Sequence, residues 1–167
     1  TITAGKIEVY GGTVDSAAAV ISANGTQVIN VKTSGIYLKG FSSGSVYGGY
    51  SEIEQRSTSG SQTLNIYGGD VVLRAGDGTG SVLGSGWTGE CVTYSVACSG
   101  NHAQISNEGS GGQTIAFHGS AQNLTLTASS FGIANDAQID NESGTQSITG
   151  SNLAITLNGG SGGGTAV

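Results

Sequence analysis

Four glutamines open four versions of one phrase: Gln27 in "GTQVINVKTSGIYLKG", Gln62 in "GSQTLNIYGGDVVLRAG", Gln113 in "GGQTIAFHGSAQNLTLTA" and Gln146 in "GTQSITGSNLAITLNGG". Their spacings are 35, 51 and 33 residues. The long interval holds "SGWTGECVTYSVACSG", which has no counterpart elsewhere, and removing about that much restores a common period. The chain is therefore one repeat with one insertion at about residues 84–100.

Each copy carries three short apolar patches. The first follows the Gln: Ile29 and Val31, Leu64 and Ile66, Ile115 and Phe117, then Ile148. The second alternates again: Ile36 and Leu38, Val71 and Leu73, Leu124 and Leu126, Ile155 and Leu157. The third precedes the next Gln, with Ile53, Ile105 and Ile139. The opening residues fit the same template without the leading Gly-x-Gln, through Ile2, then Ile7 and Val9, then Ile21. Period-two alternation puts such side chains on one face of a strand. Lys32 and Lys39 fall on the opposite phase and point away from the core.

Three short strands per repeat, in about five repeats, predict an all-β parallel solenoid (a β-helix) occupying residues 1–167 as a single domain. Each coil would stack on the last at about 4.8 Å. A β-sandwich competes, but it calls for hairpin signals between neighbouring strands and does not need one motif repeated in register. Composition agrees with a β fold. The chain has 31 Gly and no Pro, with only 10% charged residues, too little charge for a typical disordered chain and too much Gly for a helical one.

The recurring Gln27, Gln62, Gln113 and Gln146 have two readings, both structural. Stacked amides hydrogen-bond along an axis as a ladder, or each satisfies a backbone group at a corner. Cys91 and Cys98 stand close enough in sequence to close a disulfide loop inside the insertion, with two free thiols as the other reading. A disulfide would place the protein outside the cytoplasm. Trp87 and Tyr94 give the same insertion aromatic surface for a protein or sugar contact, or packing over a core end.

Several chemistries find little footing. The net charge of −6, with five scattered basic residues, excludes a nucleic-acid partner. No apolar run reaches the roughly 18 residues of a membrane span. Paired acids at Glu52 and Glu54, or at Asp136, Asp140 and Glu142, could serve a polysaccharide-active enzyme, but a solvated acidic edge is the simpler reading. "AGDGTGSVLGSG" occurs once, whereas calcium-binding glycine–aspartate repeats need reiteration, so no metal or other cofactor is expected. His102 and His118 lack partners at ligand spacing and read as surface or corner residues. A Thr-x-Thr column of the ice-binding kind breaks at Asn30 and Ala116.

The phrases quoted above, with "AQIDNESGTQSIT" linking two of them, resemble the repeats of secreted bacterial filamentous-haemagglutinin-like proteins, over nearly the whole chain. That resemblance implies a right-handed β-helix at the cell surface or in the extracellular matrix, with adhesive or structural duties. It carries over no catalytic residue.

Thr1 is an unusual first residue, which suggests a processed chain or a piece of a longer one. The repeat runs to both ends of the sequence without capping residues. The leading expectation is therefore a subunit that stacks head to tail on copies of itself into a fibre. A fragment of a long surface adhesin binding host or sugar ligands is the second, and a polysaccharide-active enzyme the third.

Overall fold

In a computed structural model, the structure describes residues 1–12, 18–40, 49–76, 102–129, 136–160 and 167. The first strands in chain order are β1 (Ile2–Ala4), β2 (Ile7–Tyr10), β3 (Ala19–Ala23), β4 (Gln27–Val31) and β5 (Ile36–Lys39). Next come β6 (Ser51–Gln55), β7 (Gln62–Ile66), β8 (Val71–Arg74), β9 (Ala103–Asn107) and β10 (Gln113–Phe117). The last are β11 (Gln122–Thr127), β12 (Ala137–Asn141), β13 (Gln146–Gly150) and β14 (Leu153–Asn158).

The chain visits three sheets in rotation. Sheet A orders β1-β4-β7-β10-β13, sheet B orders β2-β5-β8-β11-β14, and sheet C orders β3-β6-β9-β12. Strands three apart in sequence lie side by side and parallel. The arrangement is all-β with stacked parallel sheets, compatible with a β-solenoid and incompatible with the hairpin pairing of a sandwich. Each circuit of the three sheets is one rung.

Register follows the repeat residue for residue. Gln27, Gln62, Gln113 and Gln146 share one column. Ile21, Ile53, Ile105 and Ile139 share another. Inward positions are sealed: in β4, β7 and β10 buried and half-buried residues alternate without a break. Stacked identical side chains make this possible, because a slip of one residue would turn every Ile and Leu outward.

The stretch 84–100 falls between β8 and β9 and shifts nothing, since β9 still pairs in phase with β6 and β12. Cys91, Cys98, Trp87 and Tyr94 lie outside the described residues, as does nearly all of "AGDGTGSVLGSG". The A-to-B corners are tight. Gly35 and Gly69 take φ of 77° and 74°, and a Cβ on Gly35 would overlap the Asp70 carbonyl of the next rung. Only glycine fits where left-handed backbone meets such close stacking.

Three expectations need correction. Of the two readings of His102 the corner one stands and the surface one does not: it directly precedes β9, is buried, and its ring stacks on Tyr50 at 4.5 Å. The outward residues Glu54, Gln104 and Ser106 of sheet C are buried rather than solvated, so period-two alternation fails on that face. Ile2, Ile155 and Leu157 belong to the inward columns yet remain exposed, because no further described rung covers them. Among the described residues no helix is long and apolar enough to cross a membrane.

Candidate functional site

The Gln column is a polar spine inside an apolar stack. Gln62 Nε2 donates to Gln27 Oε1 at 2.8 Å, Gln113 to Gln62 at 2.8 Å, and Gln146 to Gln113 at 2.9 Å. The same Nε2 atoms also reach sheet C carbonyls: Gln27 to Glu54 O at 3.0 Å, Gln62 to Ser106 O at 2.9 Å, and Gln113 to Asp140 O at 3.0 Å. Each of these three acceptors lies on the sheet C strand that follows its Gln, and longer bonds of 3.3–3.4 Å reach back to the preceding strand at Ile21, Ile53, Ile105 and Ile139 O, so the two sequence readings describe one device. The bonds run one way, each rung donating to the rung before it. Gln146 Oε1 is left as the terminal acceptor of this series.

Two shorter amide links flank the spine. Asn65 Nδ2 donates to Asn30 Oδ1 at 3.0 Å, within the column where Thr-x-Thr periodicity failed. Asn107 Nδ2 donates to Asn141 Oδ1 at 2.7 Å at the C-to-A corner. Neither link was singled out in the sequence. Their signal was the shared phase of Asn30 with Asn65 and of Asn107 with Asn141.

Among the described residues a cluster of titratable side chains lies on the outer face of sheet C. Glu52 and Glu54 project from β6, two residues apart on the same face. Ser106 Oγ, one strand over, donates to Glu52 Oε1 at 3.1 Å. Arg56 Nε pairs with Glu54 Oε1. Burial pushes the Glu52 carboxyl up to about 7, helped by the Glu54 charge and by a hydrogen bond between the two carboxyls. A neighbouring negative charge disfavours ionisation of a half-buried carboxyl, so Glu52 keeps its proton to higher pH than a free glutamate. Glu108 is also raised, by desolvation and then by the charges of Glu142 and Glu54.

The chemistry open to this pair is limited. Glycoside hydrolysis needs carboxyls about 5–9.5 Å apart, with the scissile bond between them. Glu52 and Glu54 stand side by side on one strand, Glu52 bonded by Ser106 and Glu54 paired with Arg56, and do not face each other across a cleft. In the second acidic group Glu142 is exposed on a corner, and the backbone oxygens of Asp136 and Asp140 accept from Ala103 N and Gln113 Nε2. His118 is exposed, stacks on Tyr67 at 4.6 Å and bonds Asn65 Oδ1 at 3.3 Å. Lys32 Nζ lies over the same Tyr67 ring at 3.9 Å. Among the described residues no group of three or more His, Cys, Asp and Glu could hold a metal ion.

Set against known protein families, curated proteins and solved structures, the chain matches none.

The remaining candidate is the pair of end faces. At the far end Ile155 and Leu157 are 54% and 55% exposed, whereas Leu124 and Leu126, their partners one rung below, are each 1% exposed. At the near end Ile2 is 37% exposed above a fully buried Ile29. Val167 brackets β12, donating to Ala137 O at 3.1 Å and accepting from Ile139 N at 2.8 Å, so sheet C is extended on the same side as β13 and β14.

Proposed function

We propose that this chain is a structural element of an extracellular bacterial fibre or matrix, assembling head to tail by stacking of rungs. In this reading it is a right-handed parallel β-solenoid of five coils, the hand favoured by nearly all parallel crossovers. Cys91 and Cys98 close a disulfide loop in the insertion, which alkylation with and without reductant tests directly. The observation that carries the assembly is the exposure of Ile155 and Leu157 in columns that are otherwise sealed. Covering one such side chain contributes about 1.5–3 kcal/mol. The edge strands at each end also hold backbone groups ready to pair with another parallel strand.

The two ends suit each other. The inward apolar columns of β13 and β14 are those of β1 and β2, although the first rung brings no Gln to extend the amide ladder. A second copy stacked in the same sense therefore meets like with like, and a repeating contact of that kind produces an open filament. The repeat's resemblance to filamentous-haemagglutinin-like proteins supports the secreted or cell-surface setting and an adhesive or structural role.

Electron microscopy and sedimentation of the purified chain over a range of concentrations test this. Filaments with a repeat equal to one stack are expected. Dispersed monomers at all concentrations would sink it. The same exposed faces favour a second reading, in which the neighbouring rungs belong to one long surface adhesin that binds host or sugar ligands.

A further inference from the structure

We propose that the outer face of sheet B carries a binding groove for a neutral oligosaccharide. An open groove of about 510 Å³ runs there across three successive rungs, within the roughly 300–1,000 Å³ usual for ligand clefts. It lies on the side wall of the stack and does not rest on the end-to-end assembly.

Its floor is aromatic. Tyr10, 52% exposed, and Tyr37 set their ring centroids 5.7 Å apart at 52°, forming an open corner. A flat ring accepts the C–H face of a pyranose and leaves its own hydroxyl free for polar contact. Tyr10 and Tyr37 come from adjacent rungs, so the corner exists only because β2 and β5 stack in register.

Its walls are fixed hydrogen-bonding groups. Glu8 Oε1 accepts from Lys6 Nζ at 2.6 Å and from Tyr10 Oη at 3.2 Å, which holds the carboxylate and leaves its second oxygen as an acceptor. Opposite it, Asp70 is held by Asn123, whose backbone N donates to Oδ1 at 2.7 Å and whose Nδ2 reaches both carboxylate oxygens at 3.1 Å. Lys39 adds an ammonium donor to the lining. Carboxylates anchored in this way are ready to accept from vicinal hydroxyls without first losing their own freedom.

The charge balance selects the ligand class. Lys6 and Lys39 offset Glu8 and Asp70, so the lining is neutral within a chain of net charge −6. A polyanion gains nothing from a neutral lining and is repelled by the rest of the surface. A polyhydroxyl chain without charge uses every group present, with ring faces on Tyr10 and Tyr37 and hydroxyls on Glu8, Asp70 and Lys39.

The test is isothermal titration of the full chain with cellohexaose, maltohexaose and mannohexaose as neutral probes, and with a galacturonate hexamer as the anionic one. The expected result is saturable binding of at least one neutral hexamer with Kd below about 5 mM. Tyr10→Ala and Tyr37→Ala each weaken it about tenfold, and Glu8→Gln weakens it less, with far-ultraviolet dichroism unchanged. Raising salt from about 50 to about 500 mM leaves the affinity within about twofold. Binding of no neutral probe, preference for the galacturonate with steep salt dependence, or wild-type affinity in both tyrosine variants would each overturn the proposal. Repeating the titration with an Ile155→Lys, Leu157→Lys double variant separates this result from any failure of end-to-end assembly.

Discussion

Gln62 and Gln27 are 35 residues apart in sequence, yet their side-chain amides lie 2.8 Å apart, donor to acceptor, inside the stack. The contact exists only if two repeats are in phase. A slip of one residue would turn both amides out of the interior and the neighbouring Ile29 and Leu64 into solvent. The pair fixes register as well as contributing stability.

Position along the spine sets the cost of losing a glutamine. Gln62→Ala strands Gln27 Oε1 and the Ser106 and Ile53 carbonyls without their donor. Unmade buried hydrogen bonds of this kind cost about 3 kcal/mol in sum. Gln146→Ala, in the exposed last rung, costs about 1 kcal/mol or less. Urea unfolding of the two variants measures the difference, and equal losses would contradict a buried ladder.

Glu52 gives stability a pH dependence opposite to that of an ordinary surface acid. Its folded-state value is raised to about 7 from 4.5, so the folded chain binds more protons than the unfolded one between those values. Stability from this group is therefore fully present below about pH 4.5 and is lost as pH rises through about 7. The loss is on the order of 3 kcal/mol. Glu52→Gln removes this dependence and leaves the variant more stable than wild type at pH 8. Thermal melts of both proteins from pH 5 to pH 8, compared as a difference so that titrations common to both cancel, should show the two curves converging toward the acid side.

Two isoleucines of the same inward pattern should behave differently. Ile105 is fully buried, and Ile105→Ala leaves a cavity that costs about 2–5 kcal/mol. Ile155, on the open rung, should tolerate Ile155→Lys with a change under about 1 kcal/mol in the dispersed chain. The same substitution should abolish filaments, because it places an unpaired ammonium in the stacking contact. Unfolding curves and negative-stain images of the two variants give both readouts.

Gly35→Ala combines two penalties, a φ of 77° and overlap with the Asp70 carbonyl in the next rung. A loss above about 2 kcal/mol is expected, and native-state hydrogen exchange should show early opening at the corner between β4 and β5.

Much of this was legible from the repeat. The columns headed by Gln62 and Ile53 could be written down before any coordinates, because identical residues at a fixed period have to coincide when rungs stack. The sheet C acids could not. Glu52 and Glu54 sit on the phase that alternation assigns to solvent, and their burial depends on what covers that face, which strand periodicity does not encode. The burial of His102 went unseen for the same reason, since its partner Tyr50 lies one rung away with no mark in the local sequence. Tyr10 and Tyr37, whose rings meet on the outer face of sheet B, look unrelated in the sequence until β2 and β5 pair, while Trp87 and Tyr94 lie outside the described residues.

Repetition along the chain dictates the period, the inward residues and the register, because one-dimensional repeats become vertical alignment once parallel strands stack. The direction of the amide ladder, the pairing of Glu54 with Arg56, and the groove between Tyr10, Tyr37 and Asp70 come from three-dimensional packing alone. Those depend on distances between neighbouring rungs and on desolvation, and both arise only when separate repeats are brought within a few ångströms of one another.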